Sequence, residues 1–209
     1  MKHLLKFIFF IIAFISLNGC SNDNSNNSNP NSSDCATTDP CRGASGCTYW
    51  YPTELSDEWK WNIPLLGITT DFRVKIIGNP VLNGNTYIES AFVGGTVLTF
   101  FNDFCWIYGF RTSNGDLYEY DPDTDSSWLY LPNNPVVNQS WIRQGQQWQV
   151  VSLNYSLTTP TCSYNNLLKV KVTENGDYDY VCFGKGLGIV AQLDQSQNIT
   201  MYLGEVTIH

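Results

Sequence analysis

Histidine is nearly missing from this chain: 209 residues hold two, His3 and His209. His3 falls in an apolar leader and His209 is the last residue, so no internal imidazole is on offer. That excludes a Ser-His-Asp triad and a Cys-His pair, which need an imidazole to take the nucleophile's proton. It also removes the ligand that catalytic zinc sites usually use. Acid–base work is left to carboxylates, Tyr, Lys or thiols. Positive charge is scarce as well, with 11 basic residues against 19 acidic ones. Lys2 and Lys6 belong to the leader, which leaves 9 against 19 from Cys20 onward. Such an acidic chain has no electrostatic footprint for nucleic acid and is not drawn to an anionic membrane surface. A long hydrophobic run is absent too. Leu4 to Leu17 is apolar but interrupted by Lys6 and Ser16, and it is short for a membrane span. No window shows a helical hydrophobic period, and no internal repeat is present.

What remains begins with an address. Lys2, His3 and Lys6 followed by the apolar run read as a bacterial signal peptide over residues 1–19. It ends in Leu17-Asn18-Gly19-Cys20, which resembles the lipobox of bacterial lipoproteins, with Asn18 where a smaller residue is usual. The resemblance implies diacylglycerol on the Cys20 sulfur and acylation of its amine, an anchor of several chains. The other reading is an ordinary secretory signal with Cys20 incidental. Ser21 follows Cys20 and favours sorting to the outer membrane, facing either the periplasm or the outside. Residues 20–34 are low-complexity Asn and Ser that bury nothing to offset the entropy of ordering them. They form a flexible tether, reaching roughly 20 Å as a random coil.

Seven cysteines are present, and six remain once Cys20 is lipidated. Cys35, Cys41 and Cys47 lie close together over residues 35–47, and Cys105, Cys162 and Cys182 are spread through the chain. An even number in an exported chain points to disulfides. The pairing is open, but a short loop among the first three leaves one to reach the rest of the chain. Six-residue spacings without histidine fit no common zinc pattern.

Residues 48–209 read as one all-β domain, an antiparallel β-sandwich or incomplete β-barrel of about nine or ten strands. Val, Ile, Thr, Tyr, Phe and Trp cluster in short runs between turn residues. Strands are expected at 58–63, 72–77, 86–92, 97–101, 147–157, 188–193 and 200–207. Asn83-Gly84, Asn114-Gly115 and Asn175-Gly176 are hairpin signals. Register can be tested by face matching, because a one-residue slip exchanges faces. A three-residue loop at Glu174–Gly176 sets Val172 opposite Tyr178, Val170 opposite Tyr180 and Leu168 opposite Cys182. The same loop at Ser113–Gly115 sets Phe110 opposite Tyr118 and Tyr108 opposite Tyr120.

Three stretches resemble a broad group of exported Gram-negative lipoproteins without an assigned activity. Tyr51-Pro52 followed by Trp59-Lys60-Trp61 resembles their opening motif. Leu131-Pro132 leading to Val137-Asn138-Gln139-Ser140-Trp141 resembles their central one, and Asn166 to Val170 sits where they have a penultimate strand. Phe183 to Val190 is similar to their closing Gly-rich motif. The resemblance implies an all-β envelope domain and brings no catalytic residues. Thr53 to Glu58 departs from the short Gly-containing turn of the group.

Several constellations point to chemistry. Gly184, Gly186 and Gly188 precede a strand, not a helix, so they serve a tight bend against aromatics and not a phosphate. Asp121, Asp123 and Asp125 alternate as in a Ca²⁺ loop, but Ser126 and Pro132 stand where an EF-hand has Gly and Glu; a solvated acidic turn is the plainer reading. Asp57-Glu58, or Asp177 with Asp179, could serve a glycosidase only if folding brought two carboxyls to the right separation. Among seven tryptophans, Trp59 and Trp61 share a strand face, and Trp128 and Trp141 stand at loop–strand junctions. Outward, these four offer stacking surface for sugars or a protein; inward, they are core. The sequence therefore leads to a lipid-anchored envelope protein that binds a glycan or protein ligand and requires no cofactor. A lipid carrier with a half-open barrel is the alternative, and a carboxylate-based hydrolase comes third.

Overall fold

The computed structural model describes residues 35–42, 47, 49–65, 68–96, 109–121 and 124–209. The signal peptide, Cys20, the tether, Cys105, Trp106, Asp123 and the strand expected at 97–101 lie outside them.

Fourteen strands and no helix occur among the described residues. They are β1 (Glu58–Leu65), β2 (Ile68–Gly78), β3 (Val81–Leu82), β4 (Asn85–Thr86), β5 (Glu89–Gly94), β6 (Phe110–Ser113) and β7 (Asp116–Asp121). Then follow β8 (Ser126–Leu131), β9 (Ser140–Arg143), β10 (Gln146–Thr158), β11 (Ser163–Glu174), β12 (Asp177–Gly184), β13 (Gly188–Leu193) and β14 (Ile199–Thr207). The expected all-β antiparallel class is what the chain adopts. Nine strands form one open sheet in the order β5-β2-β1-β14-β13-β12-β11-β10-β9, so it does not close into a barrel. Strands β6-β7-β8 form a second sheet, and β3-β4 is a short hairpin.

The sheet order places the first and last strands side by side. β1 pairs with both β2 and β14, which leaves β5 and β9 as the edges of the sheet. Bulges interrupt β10 against β11 and β1 against β14, which bends the sheet. On one face of β10, β11 and β12 the register aligns Val150, Val170 and Val181. Phe110, Leu117, Tyr130 and Leu131 of the second sheet pack over this face, with Trp148 and Phe183. A buried ion pair holds the two layers together. The Arg143 guanidinium lies 4.8 Å from the Tyr130 ring centre and 5.0 Å from Trp148, and Nη2 sits 2.6 Å from Glu119 Oε2.

Two expected registers are overturned. Glu174 pairs with Asp177 and Ser113 with Asp116, so both loops contain two residues, not three. Asn175 and Gly176 have φ of 50° and 87°, and Asn114 and Gly115 have 54° and 83°. Successive positive φ values match the right-handed twist of the flanking strands, and this local preference wins. Val172 therefore faces Asp179, Val170 faces Val181 and Phe110 faces Glu119. The tyrosines of β12 stand opposite lysine and threonine instead of valine. Lys169 and Lys171 lie on the tyrosine face of β12, their stems and ammonium groups against the rings. Gln144-Gly145 makes another turn of this kind, with φ of 48° and 79°.

Candidate ligand-binding face

Of the four tryptophans that could be binding surface or core, Trp59 and Trp61 belong to the core. Their rings are buried and stacked, 6.1 Å apart at 9°. The Trp59 indole donates to the Leu187 carbonyl at 2.8 Å and the Trp61 indole to the Ile189 carbonyl at 3.1 Å. Their shared strand face points inward, which is the core alternative of the two and removes both as binding surface. The glycine bend completes this lock. Gly186 N donates to the Tyr49 carbonyl and Gly188 N to the Trp50 carbonyl, at 2.9 and 3.0 Å. Trp128 is half-buried and donates to Asp121 Oδ2 at 2.9 Å. Trp141 is half-buried on β9, its ring 6.0 Å from buried Trp148. The fold does not gather these four into one patch.

The acidic candidates have structural partners. Asp121 accepts from Thr124 Oγ1 at 2.6 Å as well as from Trp128, and Asp125 accepts from the Tyr120 hydroxyl at 2.8 Å. Among the described residues no three His, Cys, Asp or Glu converge as metal ligands. Glu58 pairs with Arg73 at 3.1 Å. Asp57 is fully buried, accepting from Glu54 N and His209 N at 2.9 Å each, with His209 Nδ1 at 3.6 Å. Sequence distance hid this pairing of the last residue with an interior carboxyl.

Cys35 is bonded to Cys47, and Cys41 to Cys162 across 121 residues of sequence. Cys41–Cys162 ties the Cys-rich segment to the β10–β11 loop, and the Thr37–Ile208 bridge ties it to the strand end beyond β14. Cys182, offered as a disulfide partner, is instead a buried free thiol. Burial pushes it up to about 12, so it stays protonated and unreactive.

The aromatic surface that the fold does assemble is made of tyrosine. Tyr178 and Tyr180 of β12 share a face with Lys169 and Lys171 of β11, because Lys171 pairs with Tyr180 and Thr173 with Tyr178. Tyr155 reaches the same place from β10. Lys169 Nζ lies 3.9 Å from the Tyr155 ring centre and 4.2 Å from Tyr180, and it donates to Gln197 Oε1 in the β13–β14 turn. Lys171 Nζ lies 3.9 Å from the Tyr178 ring centre. The Tyr178 and Tyr180 rings meet edge to face at 5.6 Å and 80°. Lys169 is 5% exposed, whereas Lys171 and the three tyrosines are half-buried. Burial lowers the Lys169 ammonium and raises the Tyr155 and Tyr180 hydroxyls from their ordinary values. Such a face can stack flat ligand surface on its rings and meet polar groups with ammonium and hydroxyl donors. The sequence signal was Lys-x-Lys opposite Tyr-x-Tyr around an Asn-Gly turn, legible only with the two-residue register.

Elsewhere Lys185 lies 5.2 Å from the Trp50 ring centre, and Lys60 and Arg73 are salt-bridged. Lys60 lies 3.3 Å from Asp71 and 2.9 Å from Glu205, and Arg73 lies 2.7 Å from Glu205. A cavity of about 30 Å³ opens beside Tyr49, Tyr51, Leu117 and Pro132. That is about one water's share of liquid volume, against roughly 300–1,000 Å³ for ligand pockets.

No family model matches the chain. No curated protein matches it either. Among solved structures it is similar to a protein described as exported, with a YmcC-like fold, from Bacteroides fragilis. The TM-score is 0.44 at 11% identity, over 77% of this chain and 100% of that one. A protein described as a lipoprotein, from Parabacteroides distasonis, gives a TM-score of 0.41 at 14% identity, over 77% of this chain and 99% of the other. Likenesses this distant fix neither family nor function.

Proposed function

We propose that this chain is a lipid-anchored envelope protein, held in the outer membrane through Cys20, whose domain binds a glycan without transforming it. The lipobox-like Leu17 to Cys20 supports the anchor. The disulfides Cys35–Cys47 and Cys41–Cys162 suit an oxidising compartment outside the cytoplasm. The observation that carries binding is the half-buried Tyr155, Tyr178 and Tyr180 set against Lys169 and Lys171 on one strand face. Rigid rings stack on sugars with little loss of conformational entropy, and tyrosine hydroxyls add hydrogen bonds. A carrier needs an apolar chamber, and the space between the two sheets is filled by rings of Phe110, Tyr130, Trp148 and Phe183.

Two experiments test this. Cys20→Ala should release the protein from the membrane fraction, and persistence there removes the anchor. Chain purified in detergent should be retained on immobilised polysaccharides, and Tyr178→Ala with Tyr180→Ala should abolish retention without lowering the melting temperature much. Retention unchanged in the double variant sinks the assignment of this face. Capture of a single envelope protein with no glycan retained would point to a protein ligand instead.

A further inference from the structure

We infer that the ligand of the tyrosine–lysine face is an acidic glycan, one bearing carboxylates on its sugar rings. The inference rests on the glycan reading above and names the class of glycan. It comes from how this chain uses its few cations. The chain has 11 basic residues against 19 acidic ones. Lys60, Arg73 and Arg143 are each paired with a carboxylate, and Lys185 lies by itself over the Trp50 ring. Lys169 and Lys171 stand together on one strand face, and among the described residues neither is salt-bridged to an acid. Each instead lies over a tyrosine ring, which positions an ammonium without neutralising it.

The acids nearby are turned away or engaged. Asp177 and Asp179 alternate with Tyr178 and Tyr180 along β12, so they project from the opposite face. Asp194 accepts from Asn198 N and Nδ2 at 2.8 and 2.9 Å, holding the turn that carries Gln197. Glu174 accepts from Gln146 Nε2 at 3.4 Å. The face therefore presents Lys171 at its rim with Lys169 enclosed behind it. Lys169 is nearly enclosed, kept in place by two rings and Gln197, and burial disfavours its charge. A carboxylate brought over the face would restore the Coulomb partner that burial withholds, and Lys171, half-buried at the rim, is placed to bond it directly. A neutral glycan would use the rings and leave both ammonium groups uncompensated.

The test is retention on polygalacturonate, alginate and hyaluronate against neutral dextran and curdlan, at 20 mM and 500 mM NaCl, with full-length detergent-purified chain. Lys171→Gln keeps the stem and removes the charge at a half-buried site, and its melting temperature reports folding. Lys171→Arg is the conservative control. The expected result is retention by the uronic-acid polymers, about tenfold weaker in Lys171→Gln, kept in Lys171→Arg, and weakened by salt. Equal retention on acidic and neutral polymers, unmoved by salt or by Lys171→Gln, overturns the charge inference while glycan binding stands. Retention on none of the five overturns both.

Discussion

The Trp59 indole N–H bonds the Leu187 carbonyl at 2.8 Å across 128 residues of sequence. Trp61 and Ile189 repeat the arrangement two residues on. An aromatic strand near the start is thereby fastened to a glycine bend near the end. Neither partner makes sense alone, because a buried indole and a buried carbonyl each require a partner. Trp59→Phe keeps most of the ring but leaves the Leu187 carbonyl without its donor. It should cost about 1–3 kcal/mol in urea denaturation, whereas Trp128→Phe, at a half-buried turn, should cost less than about 1 kcal/mol. Equal losses would mean that the buried Leu187 carbonyl is not left unsatisfied in the variant.

The bend makes a second, sharper demand. Gly188 has φ of +76°, and an added Cβ would stand 3.2 Å from the Tyr51 ring. Gly176 has φ of +87° with open space around it. Gly176→Ala should therefore cost roughly 1 kcal/mol of left-handed strain, and Gly188→Ala distinctly more. Thermal melts of the two variants side by side decide it.

The disulfides differ in reach, and so should their removal. On the loop-entropy account the bond across 12 residues contributes about 3 kcal/mol and the one across 121 about 5 kcal/mol. Cys41→Ala with Cys162→Ala should thus lower the denaturation midpoint more than Cys35→Ala with Cys47→Ala. Cys182 should resist alkylation until the chain is unfolded.

Asp57 gives the fold a pH dependence of defined sign. Burial raises its carboxyl from the ordinary 3.8 to about 6, against the opposing pull of the Glu54 and His209 N–H groups. The folded chain then holds this proton more tightly than the unfolded chain. The contribution is complete below the ordinary carboxylate range and is lost as pH rises through about 6. Asp57→Asn gives up one of two acceptors, so it should be less stable at every pH but flatter between pH 4 and 7. A variant whose melting temperature falls as steeply as the parent's across that range would assign the slope to other carboxyls.

How much could be read beforehand follows the reach of each signal. The β class, the strands at 188–193 and 200–207 and the glycine bend rest on local composition and turn residues, and they were legible. The hairpin registers are not legible from face matching, because it sets apolar residues opposite tyrosines whereas Lys169 and Lys171 take that place. Trp59 and Trp61 share one face in either reading, but which side is inward depends on Leu187 and Ile189, far along the chain. The tyrosine face escaped for both reasons, since it needs the correct register and β10 beside β11.

By itself, then, the sequence determined what short-range chemistry can encode: extended strands, Asn-Gly turns, the scarcity of imidazole and the excess of acid. Tertiary structure decided which rings are core and which are surface, that Cys41 meets Cys162, and that His209 meets Asp57. It also decided that two lysines of an acidic chain lie on tyrosines without an acid partner among the described residues. The physical reason is one of distance. Propensity and turn geometry act over a few residues, whereas burial and pairing are settled by strands that meet only after the chain has folded.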